Sequence, residues 1–264
     1  MWAFAIVLAV AAGTIAAIVL PSFLRERRRR VLRTPDNDLL RARLARTRAY
    51  KRLPVDLRPR LEEQVRVFLG EREFIGCGGF KVTEPVRVTI AADACLLLLG
   101  HNRHVYDDLR AILVYPDEFI VPELWEEHGV VTEESRPLSG QSWDTSRVIL
   151  SWKDVTEAGP GYNVVVHEFA HYHDHAIGFT AGSGGERWQS VVEAAFATLA
   201  EAEAEERPCV LDPYSLESDA EFFAVATEAF IEQPEALLED FPDVYAELQT
   251  LYELNPLLWF DSFR

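Results

Sequence analysis

Two histidines and a glutamate, in His167-Glu168-Phe169-Ala170-His171, stand at a spacing suited to metal-assisted hydrolysis. The surrounding stretch, YNVVVHEFAHYHDH, reads as a helix, on which residues four apart share a face, so both imidazoles reach one ion. Glu168 lies one step round the helix, where its carboxylate can address a metal-bound water. Two neutral nitrogen ligands, an open coordination position and a general base are what hydrolysis by zinc requires. The competing reading is a surface helix with two solvated histidines. Val164, Val165, Val166, Phe169 and Ala170 oppose it. So apolar a helix does not lie fully exposed, and a buried histidine pair needs a partner.

Two histidines do not hold a catalytic zinc; a third protein ligand is expected, with water in the fourth position. The extended pattern HExxHxxGxxH is excluded, because Asp174 and Ile177 stand where it needs Gly and His. His173 points away from the ligand face, and His175 sits a full turn too far along. Both read as solvated or supporting groups. A carboxylate from a later helix remains, with Glu193, Glu201, Glu203, Glu205, Glu206, Glu217, Glu221 and Glu228 as candidates. The run around 201–206 lacks bulky apolar neighbours and reads as a solvated face. At 100° per residue, Tyr214, Glu217, Glu221, Val225 and Glu228 share a stripe beside Phe222, Ala226 and Phe230. Glu221 also has a purely structural reading, a capping box with Ser218. Pattern alone leaves Glu221 and Glu228 equally placed.

The elements around this site read as α+β: a few strands before the metal helix, then helices. Pro54 to Leu69 has helical spacing of Leu57, Leu61 and Val65. GCGGF reads as a turn, Val86-Arg87-Val88-Thr89-Ile90 alternates like a strand, and Ala91 to Leu99 reads as a buried helix. Ala111 to Tyr115 and Ser146 to Trp152 (SRVILSW) read as strands, the second one loop ahead of the HExxH helix. Residues 186–206, Tyr214 to Gln233 and Asp243 to Leu254 read as helices. No internal repeat is present.

The net charge of −17 hides an asymmetry. Residues 25–60 hold 14 Lys+Arg and 4 Asp+Glu, whereas residues 61–264 hold 12 and 39. An acidic body argues against nucleic-acid binding by the folded domain. Cys77, Cys95 and Cys209 are scattered, with no CxxC pair, so neither a zinc ribbon nor a disulfide framework is expected, and free thiols suit a reducing compartment.

Trp2 to Leu24 is an uncharged apolar run long enough to span a bilayer as a helix, and Arg25-Glu26-Arg27-Arg28-Arg29-Arg30 follows at once. Nothing basic precedes it, and no small-residue cleavage site follows, which disfavours a signal peptide. Positive charge stays cytoplasmic. The expected organisation is a transmembrane anchor (1–24), a basic juxtamembrane linker (25–52) and a catalytic domain (53–264). The protein would then be single-pass in the inner, cytoplasmic membrane, with the domain in the cytoplasm. RARLARTRAYKR reads as a basic helix near anionic headgroups. Nucleic acid is the weaker reading of that block, since Tyr50 is its only aromatic.

Several segments, in order, resemble the Mlc titration factor A (MtfA-like) zinc peptidases, of gluzincin type, which share a catalytic core with the anthrax lethal factor protease domain. They are ILVYPDEFIV (112–121), SGQSW (139–143), VILSW (148–152), VVVHEFAHYHD (164–174), DAEFFAVATEAFIEQPEALLEDFPDVYAEL (219–248) and LNP (254–256). The resemblance implies a zincin-like metallopeptidase domain with a small mixed sheet. It also implies Glu221 as third zinc ligand and Tyr214 as a site tyrosine. Glu228 then becomes a group that orients a ligating histidine, with Asp174 able to do the same. The implied chemistry is peptide hydrolysis with Glu168 as general base and Tyr214 as hydrogen-bond donor to the oxyanion. Cleavage from peptide N-termini is the family's suggestion. By analogy with other zinc peptidases, the SRVILSW strand would pair with an extended substrate. A soluble sugar-responsive repressor is a partner by resemblance only, and leads to the alternative reading, a protein that sequesters a transcriptional regulator on a zinc-fold scaffold. The anchor and linker depart from the soluble family pattern.

Overall fold

A computed structural model describes residues 37–260 except 101–104, 118, 128–129, 139, 145, 158 and 160, with backbone alone over 119–144. The apolar run and Arg25–Arg30, on which the anchor and its orientation rest, lie outside the described residues. Among the described residues no helix is long and apolar enough to cross a membrane.

The described residues begin with two short helices, α1 (Asn37–Leu44) and α2 (Arg48–Arg52), followed by α3 (Arg58–Glu71). Strand β1 (Glu73–Gly76) leads into α4 (Glu84–Ala94) and a 3-10 turn (Cys95–Leu98). Strand β2 (Ala111–Tyr115) is followed by a hairpin of β3 (Phe119–Glu127) and β4 (Val130–Leu138), then by β5 (Gly140–Asp144) and β6 (Arg147–Ser151). Helices follow: α5 (Trp152–Glu157), the HExxH helix α6 (Val164–Ile177), α7 (Gly185–Ala204), α8 (Asp219–Glu232), α9 (Pro234–Asp240), α10 (Pro242–Tyr252) and α11 (Leu257–Phe260).

The sheet order is β1-β2-β6-β5. The first three strands are parallel and β5 runs antiparallel to β6. This is the small mixed sheet of the expected α+β fold, in a mostly helical molecule. Both sides of β6 are taken, by β2 and β5. The expectation that β6 pairs with a substrate is therefore corrected: β1 and β5 are the edge strands, and the outer side of β5, next to β6, pairs with no other described strand.

Two further expectations change. Residues 86–90 are helical, inside α4, although their β-branched alternation suggested a strand. Thr83 at the N-cap and Pro85 in the first turn start a helix there. Val86, Val88, Ile90, Ala91 and Ala94 are all buried, so the segment is covered all round rather than on one pleated face. The basic segment is also more than a linker. Leu40, Leu44, Ala49, Tyr50 and Leu53 belong to the main core, so this part of the segment packs with the domain. Burial of those apolar side chains outweighs the segment's charge, which is matched locally: Arg41 pairs with Glu62 at 2.8 Å and Arg43 with Glu84 at 3.1 Å.

Candidate metal centre

Helix α6 is built to be held from three sides. Asn163 caps its start, its Oδ1 accepting from the backbone N–H of Val166 at 3.1 Å. Its end is Gly178, whose φ of 65° is the left-handed conformation that closes a helix without a Cβ penalty. On the back face, the Phe169 ring packs 5.1 Å from Tyr106 and 5.7 Å from Phe68. Truncating a side chain buried in that way costs about 3–5 kcal/mol. The opposite face presents His167 and His171 to α8, the helix against which α6 packs most extensively.

Helix α8 starts at Ser218, whose Oγ accepts from the Glu221 backbone N–H at 3.1 Å. The structural reading of Ser218 is therefore half realised, because the cap uses the backbone of Glu221 and leaves its carboxylate free to face the histidines. Oε2 of Glu221 lies 3.3 Å from His167 Nε2, and Oε1 lies 3.4 Å from His171 Nε2. The three residues together form a group able to hold a metal, with ligand atoms all within 4.8 Å of one another. Donors about 2.1 Å from a tetrahedral zinc stand roughly 3.4 Å apart, so the spacing fits. The donor set fits as well: two imidazoles and one carboxylate, with Glu221 Oε2 buried and without a hydrogen bond of good geometry. Burial opposes charge on His167, but Glu221 and Glu228 outweigh it and lift the imidazole to about 10. Burial likewise opposes the Glu221 carboxylate, yet the two histidines hold it far below its ordinary range.

Glu168 is 4% exposed, and its Oε2 has no hydrogen-bond partner. Burial lifts its carboxyl to about 7, against the pull of His167 and His171. Glu228 does not join the ligand atoms. Its Oε2 lies 3.3 Å from His167 Nδ1 and its Oε1 accepts from the Asn163 backbone N–H. A proton on Nδ1 leaves the Nε2 lone pair facing the metal position.

Tyr214 is not on α8. It sits on a separate 3-10 turn, Pro213–Leu216, so the expectation of one helix from 214 to 233, with Tyr214 two turns from Glu221, is corrected. The residues still come together. Burial first, then the negative charge of Glu221, Glu217 and Glu168, pushes the Tyr214 phenol up to about 12. Asp174 serves the turn after α6: its Oδ1 accepts from the Thr180 N–H at 2.7 Å and its Oδ2 from the Thr180 hydroxyl at 2.6 Å. His175 is exposed, whereas His173 is fully buried, 5.0 Å from the Tyr252 ring, where desolvation lowers it to about 4.

Sequence reasoning missed Asn163. Its signal was available: an Asn directly before the apolar run VVVHEF is a helix start.

Residues 23–253 match the family described as Glucose-regulated metallo-peptidase M90. Among curated relatives, the uncharacterized protein slr2042 of Synechocystis sp. is 37% identical over 222 residues, 79% of this chain and 81% of its own length. Mlc titration factor A of Pectobacterium atrosepticum is 31% identical over 75% of this chain and 79% of its own length. Mlc titration factor A of Escherichia fergusonii is 30% identical over 75% and 81%. The chain thus belongs to the glucose-regulated metallo-peptidase family and is MtfA-like.

Proposed function

We propose that this protein is a zinc-dependent peptidase, with the metal held by His167, His171 and Glu221 and Glu168 as general base. Membership of a metallo-peptidase family implies a divalent metal. The observation that carries the reading is Glu168 itself, a buried carboxylate with an oxygen lacking a partner, beside a ligand triad of suitable spacing. Leaving such an oxygen buried is costly, and a scaffold gains nothing from it. When bound, zinc supplies a Lewis acid and a water acidic enough to lose a proton near neutral pH. Glu168 accepts that proton and passes it to the leaving amine. Tyr214, with its pKa raised, keeps its own proton at neutral pH and can donate it in a hydrogen bond to the carbonyl oxygen as charge develops there. An extended substrate would add to the outer edge of β5, which no other described strand covers.

The apolar run 2–24 and its arginine block support a single-pass cytoplasmic-membrane location with the domain inside. Membrane fractionation and protease accessibility in spheroplasts test it. The names of the relatives favour one other reading, that the chain binds a transcriptional regulator as a titration factor.

The deciding experiment is peptide hydrolysis by the purified, detergent-solubilised full chain, with zinc content measured alongside, for wild type and Glu168→Gln. Zinc near one per chain, with cleavage lost only in the variant, is the expected result. Comparing N-blocked with free peptides then separates endopeptidase from aminopeptidase action. Zinc without cleavage of any peptide library favours regulator binding. Capture of a regulator by Glu168→Gln protein that no longer cleaves would mean that both activities coexist.

A further inference from the structure

The buried polar groups behind the candidate metal centre form one connected bracket, and its two cations come from the N-terminal basic segment. Glu228 and Glu232 stand one turn apart on α8 and both hold Asn163. Glu228 accepts from its backbone N–H, and Glu232 Oε1 accepts from its Nδ2 at 2.9 Å. Asn163 in turn caps α6, and its backbone carbonyl accepts from the N–H of His167 at 3.0 Å. Two parallel carboxylates on a buried helix face repel each other and lose hydration. Here the outer one is charge-balanced from α2: Oε2 of Glu232, whose side chain is fully buried, receives both Arg48 and Arg52. Arg52 also donates to the carbonyl of Ile231 at 3.4 Å. The Asn163 side chain further meets Asp93 of α4. From Arg48 and Arg52 the path runs through Glu232, Asn163 and Glu228 to His167 Nδ1, with every link a hydrogen bond or close ion pair.

We infer that Glu232 and Asn163, charge-balanced by Arg48 and Arg52, are positioning residues for the metal centre, so that the N-terminal segment sets metal affinity without touching the metal. This rests on the metal assignment made above. Removing the arginines leaves Glu232 buried, uncompensated and beside Glu228, which pulls Asn163 and the start of α6 out of register with Glu221. Groups that orient a ligating histidine directly typically govern metal affinity by about 10–100-fold. One link further out, a loss of about 3–10-fold is expected.

The test uses the full chain and reads metal affinity by chelator competition with zinc, together with the absorption spectrum of the cobalt-substituted protein. Glu232→Gln keeps the shape and removes the charge. Asn163→Ser keeps a capping oxygen and removes the donor to Glu232. Arg52→Ala removes a cation, and Arg52→Lys restores one. Arg43→Ala is the control, deleting an ion pair of the same segment that lies outside the bracket. The expected result is weaker zinc binding and a shifted cobalt spectrum in the first three, partial recovery in Arg52→Lys, and neither change in Arg43→Ala. Zinc affinity within about twofold of wild type in Glu232→Gln and Asn163→Ser, with only the melting temperature lowered, overturns the inference and leaves the peptidase reading intact. Wild-type protein that takes up neither metal overturns both. Metal binding without peptide cleavage overturns only the peptidase chemistry, and the bracket is still read from affinity.

Discussion

The floor of the site and its tyrosine wall are held in opposite ways. His167, His171 and Glu221 sit on two long helices packed face to face and backed by the buried chain Glu228–Asn163–Glu232. Tyr214 sits on a four-residue 3-10 turn, is 43% exposed, and its turn is fastened by Asp212, which accepts from the Tyr214 N–H at 2.8 Å. Ligand groups must be in place before a metal arrives, because each misplaced donor costs affinity. A group that stabilises developing charge is needed only when substrate is present. On the proposed function, the floor would therefore carry metal affinity and stability, and the wall rate alone.

That division can be broken from either side. The largest effect is expected on the floor: His171→Ala, or chelation of the wild type, abolishes both bound zinc and hydrolysis, as read by metal analysis and peptide turnover. Glu168→Gln comes next. It lowers kcat by about 10³-fold, within the usual range for a positioned base, while zinc stays bound. Because it removes a buried carboxylate with an unpartnered oxygen, its melting temperature should not fall. Tyr214→Phe is the sharpest test of the wall: kcat drops about 10²-fold, roughly 3 kcal/mol, with zinc affinity and melting temperature unchanged. A loss of metal in that variant would show wall and floor to be one unit. Glu228→Gln weakens zinc binding by about 10–100-fold, while the fully loaded enzyme keeps most of its kcat. The smallest effect is that of Ser218→Ala, a stability loss of about 1 kcal/mol in denaturant titration from the missing cap of α8.

What could be read from the sequence follows the range of the interactions involved. The HExxH helix was legible because its two histidines stand at helical spacing within an apolar run, although its local cap, Asn163, was missed. The stripe through Glu221 and Glu228 was legible too, and the structure separates them by which histidine nitrogen each faces. Local signals misled at 86–90, where β-branched alternation obscured the Thr83 and Pro85 helix start. They also misled at Tyr214, where Pro213 and Asp212 make a separate turn that a periodicity continued backwards from α8 cannot see. Strand β1 was missed because Glu-Phe-Ile-Gly has no alternation; its place comes from parallel pairing with β2. The role of Arg48 and Arg52 was out of reach for the same reason, since a basic run looks the same whether it faces a headgroup or a buried carboxylate 180 or more residues away.

The order in which the chain is made gives that distance a further meaning. Arg48 and Glu232 are 184 residues apart, and Glu221, the carboxylate that faces the histidines, follows them by a full helix and a turn. A growing chain that has delivered only its first 200 residues holds the HExxH segment but neither Glu221 nor the carboxylates that steady Asn163. Contacts of such long sequence separation form late in folding. On the proposed reading, assembly of the site is thereby deferred until the chain has been made as far as Glu232, and a shorter chain would expose a histidine pair without the carboxylate that faces it.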